Sequence, residues 1–107
     1  RQRARGVAGP QRSQALPEVP TVAESGLPGF EVSAWYGLLA PGATPRAIVE
    51  RLNGEAMRIL KLPELQQRLR SEAFETPSDS PEGMAALIRA ELAKWAAVVK
   101  EAGIKAP

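Results

Sequence analysis

The placement of proline constrains this chain more than any other feature. A proline ring fixes φ and removes an amide donor, so it is tolerated in the first turn of a helix but breaks a helix interior or a paired strand. Ten prolines and nine glycines over 107 residues therefore divide the chain into short elements. Thr44-Pro45 and Ser80-Pro81 each set a capping hydroxyl before a proline at the first helical position, and Pro63 opens a third, shorter helix. From Pro45 to about Leu60, Val49, Leu52, Ala56 and Ile59 form one apolar stripe, with Glu50, Arg51, Glu55 and Arg58 mostly away from it. Glu55 and Arg58 make an i,i+3 pair worth about 0.2 to 0.5 kcal/mol, which tunes solubility rather than fold. From Pro63 to about Ser71 the anchoring pair is Leu65 and Leu69. The longest helix runs from Pro81 to about Ala102, where Gly103 ends it. Met84, Ile88, Leu92, Trp95 and Val99, widened by Leu87 and Val98, give it a stripe that must lie on something large.

The rest of the chain reads as extended or turn. Arg3 to Gly9 is compatible with the tail of a strand, ended by Gly9-Pro10, and a loop follows through Pro17 and Pro20. Thr21-Val22-Ala23-Glu24 has the form of a capping box, in which the Thr21 hydroxyl and the Glu24 carboxylate each accept from the other's amide. Free amides at such a start would otherwise attract an external anion. Ser25-Gly26 stops this element within a turn, and Leu27-Pro28-Gly29 turns the chain again. Phe30 to Ala40 is the best strand candidate. Phe30, Val32, Ala34, Tyr36 and Leu38 share one face, and both faces become apolar from Ala34 onward, as in a strand covered on both sides within a layered α/β sheet. Trp35 and Tyr36 sit where the pattern changes, either as core packing or as the wall of a cleft. Ala73 to Thr76 is a short extended link, and Pro77-Ser78-Asp79 a loop.

Composition excludes much chemistry. The chain has no Cys and no His, so disulfides, thiolate nucleophiles, Cys/His metal sites and His-based catalytic pairs are ruled out within it. No serine has a histidine base, and Glu91 reads better as a surface partner of Lys94 than as a lone general acid. The expectation is a protein that is not an enzyme and holds no cofactor or metal. The formal charge of +2 comes from the start of the chain: with Arg1, Arg3, Arg5 and Arg12 set aside, ten basic residues face twelve acids. That basic arm carries no aromatic platform, which argues against nucleic acid. No stretch has the length of apolar sequence a membrane-spanning helix needs. The length suits a single small core, and a first residue of Arg rather than Met suggests a processed or excised piece.

The order of motifs is similar to a known family. The run Leu16 to Gly26, followed by Pro28-Gly29-Phe30-Glu31-Val32-Ser33-Ala34-Trp35-Tyr36-Gly37-Leu38-Leu39-Ala40-Pro41, closely resembles the periplasmic solute receptors of tripartite tricarboxylate transporters, often called Bug-type receptors. Thr44-Pro45, Ile48-Val49, Leu52-Asn53, Ser80-Pro81-Glu82, Glu91, Lys94-Trp95 and Lys100 to Lys105 continue the resemblance to the end of the chain. It implies an α/β fold: the C-terminal third of a two-lobed, type II-like periplasmic binding protein, with three main helices and one long crossing strand. Residues 1–29 would end the second lobe, and residues 30–107 would cross and return to the first. The implied partners are a small carboxylate or related organic acid held between the lobes and the membrane permease subunits of the transporter. The resemblance carries no established binding residue onto a position here. Ser33, Trp35 and Tyr36 are the ligand-facing candidates on local chemistry, a hydroxyl and two amphipathic aromatics near the crossing.

Three departures stand out. Leu62 precedes Pro63 where relatives commonly have an Asp cap, the bend between Ser71 and Pro77 lacks its typical glycine, and Arg5 replaces an apolar strand residue. Lacking the facing lobe, the chain alone is expected to have no useful carboxylate affinity and to expose edges that invite pairing with a second copy. The alternative from another class is a stand-alone helical interaction module, in which the last helix meets a partner groove.

Overall fold

The computed structural model describes residues 3–76 and 80–105. Arg1 of the basic arm and the loop expected at Pro77 to Asp79 lie outside them. In place of one small core the chain forms two compact units, Arg1–Leu38 with Leu60–Thr76 and Leu39–Ile59 with Pro77–Pro107.

In the first unit, three stretches of backbone lie side by side. Val7 forms a parallel bridge with Thr21, its amide donating to Pro20 O and its carbonyl accepting from Val22, both at 2.9 Å. Successive residues of an extended chain direct their polar groups to opposite sides. The Ala8 carbonyl accordingly accepts from the amide of Val32 at 2.8 Å. The expected strand tail before Gly9 is thus the middle rung, and the residues buried beside it are Val19 and Thr21, 7% and 3% exposed. Turns around it follow the sequence. Pro28 and Gly29 occupy the central positions of a turn closed by Phe30 N–H donating to Leu27 O, and Gly29 has φ 80°, the value a type II turn requires.

The strand expected from Phe30 to Ala40 is not found among the described residues. Among the described residues no ladder continues beyond Val32, and every residue from Phe30 to Ala40 is exposed. The reason is physical: a stretch apolar on both faces needs paired neighbours and covering layers, and no strand lies beside residues 33–40 among the described residues.

Three helices form: α1 (Arg46–Leu60) begins one residue after Pro45, whereas α2 (Pro63–Ser71) and α3 (Pro81–Glu101) each begin on their proline. In α3 the N-cap is Ser80, whose hydroxyl accepts from the Gly83 amide at 3.0 Å, with Pro81 next in line. In α2 the capping position is Leu62, which makes no side-chain cap, so the missing Asp is not replaced by another acceptor. Each of α2 and α3 ends in a Schellman turn. Ala73 N–H donates to Arg70 O and Phe74 N–H to Leu69 O; Gly103 N–H donates to Lys100 O and Ile104 N–H to Val99 O.

Within the second unit, Arg46 joins α1 to α3 by pairing with Glu50, at 2.7 Å, and with Glu82. The helices bury no residue fully. Along α3, Met84, Leu87 and Ile88 are half-covered, whereas Leu92, Trp95, Val98 and Val99 are exposed, Leu92 by 67%. The stripe read from the sequence exists, and its C-terminal half is uncovered. No helix among the described residues is long and apolar enough to cross a membrane.

Candidate ligand-binding segment

The three candidate residues follow the middle rung of the first unit. Ser33 comes one residue after the Val32 to Ala8 hydrogen bond and lies against Gly9, where an added Cβ would stand 3.7 Å from the Ser33 hydroxyl oxygen. Trp35 is 40% exposed. Tyr36 is 80% exposed and meets Phe74 edge-on, with ring centroids 5.8 Å apart and planes at 66°. Such T-shaped pairs set the positive edge of one ring against the negative face of the other. The structure therefore keeps the hydroxyl and both aromatics accessible on one stretch and adds a partner, Phe74, that sequence reasoning missed. Its only signal was an aromatic directly after a helix stop, inside a link read as extended.

Earlier in the same unit the capping box forms as expected. The Thr21 amide donates to Glu24 Oε2 at 2.7 Å, and the Glu24 amide donates to Thr21 Oγ1 at 3.1 Å. Arg12, read from the sequence as part of a solvated arm, instead clamps the same carboxylate. Its Nε and Nη2 reach both oxygens at 3.0 to 3.2 Å, and Nη1 donates to Pro17 O at 3.3 Å. The Arg12 hydrogen bond, helped by the Thr21 amide, holds the Glu24 carboxyl down at about 2, and Glu24 in turn raises the Arg12 guanidinium. These amides are already occupied by the chain's own anion, so the external-anion reading of this turn falls away. In the second unit the same chemistry operates at the helix starts: Arg46 lowers the Glu82 carboxyl by a direct hydrogen bond, while Glu50 and Glu82 raise Arg46.

Glu91 pairs with Lys94 at 3.6 Å and also accepts from Trp95 Nε1 at 2.8 Å. The Lys94 ammonium stands 5.4 Å from the center of the Trp95 ring. Both Glu91 oxygens are thus engaged by its own helix, in agreement with the expected pairing with Lys94. Among the described residues no group of acidic side chains could hold a metal ion. What the 30–36 segment offers chemically is a hydroxyl and aromatic surface.

Comparison with known proteins places the chain. Residues 1–104 match the family described as "Tripartite tricarboxylate transporter family receptor". A protein of Pseudomonas sp., described as "UPF0065 protein in tcbD-tcbE intergenic region", is 43% identical over 102 residues, covering 94% of this chain and 30% of that protein. Protein BugT of Bordetella pertussis is 31% identical over 103 residues, 96% of this chain and 32% of its own length. The chain thus spans about a third of these curated relatives. Among solved structures, the periplasmic binding protein BugD superposes with a TM-score of 0.78 at 33% identity, over 94% of this chain and 34% of that one. Rpa4515 of R. palustris with adipate superposes with a TM-score of 0.77 at 36% identity, over 92% of this chain and 33% of that one. With residues 1–104 matched by that family, the chain belongs to the tripartite tricarboxylate transporter receptor family.

Proposed function

We propose that this chain is the C-terminal part of a two-lobed periplasmic receptor that captures a small carboxylate and presents it to the permease subunits of a transporter. The observation that carries this reading is the family match over residues 1–104, joined to the likeness with the solved structure of Rpa4515 with adipate. In this reading residues 1–29 close the second lobe, and residues 30–107 cross and return to the first. Ser33, Trp35 and Tyr36 then face the cleft, the hydroxyl donating to a carboxylate oxygen and the rings lining the aliphatic part of the ligand. The uncovered apolar surface of residues 38–39 and of the C-terminal half of α3 packs on the rest of the receptor. Closure of two lobes then retains the ligand, a population shift that one lobe alone cannot make.

The test is calorimetry with adipate and a panel of other dicarboxylates, run on this chain and on the chain extended upstream to the length of its relatives. The reading expects micromolar binding by the extended protein and none by the 107 residues alone. An extended protein that ignores every carboxylate would refute it. A second reading, a helical interaction module, draws on the three helices and the exposed stripe of α3. A cooperative, purely helical melt of the 107-residue chain, with no carboxylate response in either form, would select it.

A further inference from the structure

We propose that Gln66 is a positioning residue for the Tyr36–Phe74 pair, holding residues 60–76 closed so that Phe74 is delivered to the Tyr36 ring. Both hydrogens of one amide group are used: Gln66 Nε2 donates to Leu60 O, where the segment enters the first unit, and to Thr76 Oγ1 at 2.6 Å, where it ends. The side chain of one residue in α2 therefore ties the two ends of the stretch that contains it.

Phe74 lies between that tie and the end of α2. On one side the Schellman turn fixes its amide to Leu69 O at 2.8 Å, through a left-handed Ala73. On the other side Thr76, two residues on, is held by Gln66. A ring fixed from both directions can be presented at a constant place. Tyr36 needs such a partner, because it sits in a stretch with no ladder beyond Val32 and is 80% exposed. Its ring meets that of Phe74 edge-on. Gln66 thus acts on Tyr36 through Phe74, and the arrangement holds whatever Tyr36 binds.

Solution NMR on the full 107-residue chain tests this. The wild type is expected to show cross-relaxation between the Tyr36 and Phe74 rings. Gln66→Leu keeps the bulk and removes both donors. It should weaken that signal at least about twofold and speed exchange of the Phe74 amide by about two- to tenfold, the range that one net hydrogen bond supports, while the amides of α3 keep their rates. Thr76→Val, which leaves the tie to Leu60 in place, should act in the same direction with smaller size. Where Gln66→Leu does not fold, Thr76→Val is read alone by the same two signals. Unchanged ring contact and Phe74 exchange would overturn the proposal. So would α3 amides accelerating as much as Phe74, or a wild type without the ring contact.

Discussion

Ala73 and Gly103 hold the same backbone conformation at the same position of two helix ends, with φ of 60° and 64°. Each is the first residue past the cap of a Schellman turn. Only glycine reaches this left-handed region without a steric cost from its side chain, which for an L-residue is about 1 to 2 kcal/mol. The end of α2 therefore carries a strain that the end of α3 does not.

Replacing Ala73 by Gly should relieve it. The gain is reduced by the extra freedom glycine gives the unfolded chain, about 0.4 to 1 kcal/mol. The expected net is a stabilization of up to about 1 kcal/mol, read as a shift of the urea midpoint at constant slope. Gly103→Ala should move the other way by about 1 kcal/mol, since the added Cβ meets no atom within 4 Å and the cost is purely conformational. If both substitutions destabilize, the comparison fails.

The start of α2 offers a second improvement. Leu62 supplies no cap although its backbone has the extended conformation of a capping residue. Leu62→Asp should add about 0.5 to 1 kcal/mol by accepting from an amide of the first turn, less whatever apolar contact is lost. Ser80→Ala, which deletes the working cap of α3, should cost about 1 kcal/mol. Chemical denaturation of the two variants side by side decides this.

Glu24 gives a prediction about acid. Its carboxyl is held at about 2, against an ordinary value of 4.5, chiefly by the hydrogen bond from Arg12. A group whose pKa is lower folded than unfolded contributes stability that is complete above 4.5 and is lost as pH falls from there through about 2. NMR titration should find the Glu24 midpoint near 2, and Arg12→Ala should raise it toward 4.5. A midpoint indifferent to Arg12 would remove the clamp from the account.

Exposed apolar surface predicts association. Leu38, Leu39 and Leu92 are 90%, 77% and 67% exposed, and uncovered large apolar side chains favor association. Light scattering on the 107-residue chain should show mass rising with concentration. Leu38→Lys and Leu92→Lys together should lower it. A monomer at every concentration would count against the idea that these faces have a partner.

How much of this was legible beforehand depended on whether a signal was local. The capping box at Thr21 and Glu24, the turn at Pro28-Gly29, the Ser80 cap and the stop at Gly103 rest on neighbors in sequence, and each formed as read. The missing glycine between Ser71 and Pro77 was legible too: the bend needs a left-handed residue and Ala73 takes it. Partners distant in sequence were not. Arg12 finds Glu24, Arg46 finds Glu82, and Phe74 finds Tyr36 by tertiary placement that no periodicity encodes. Residues 33–40 show the opposite failure: their pattern states what environment they suit, and no paired strand among the described residues supplies it.

The rung at Val7 and Ala8 sets a practical limit on shortening this protein. Pro10 looks like a natural place to cut, with glycine before it and loop after it. Yet Val7 and Ala8 hold Pro20 and Val22 on one side and Val32 on the other. Trimming to Pro10 would detach two regions from each other at once, and the burial of Val19 and Thr21 would go with them.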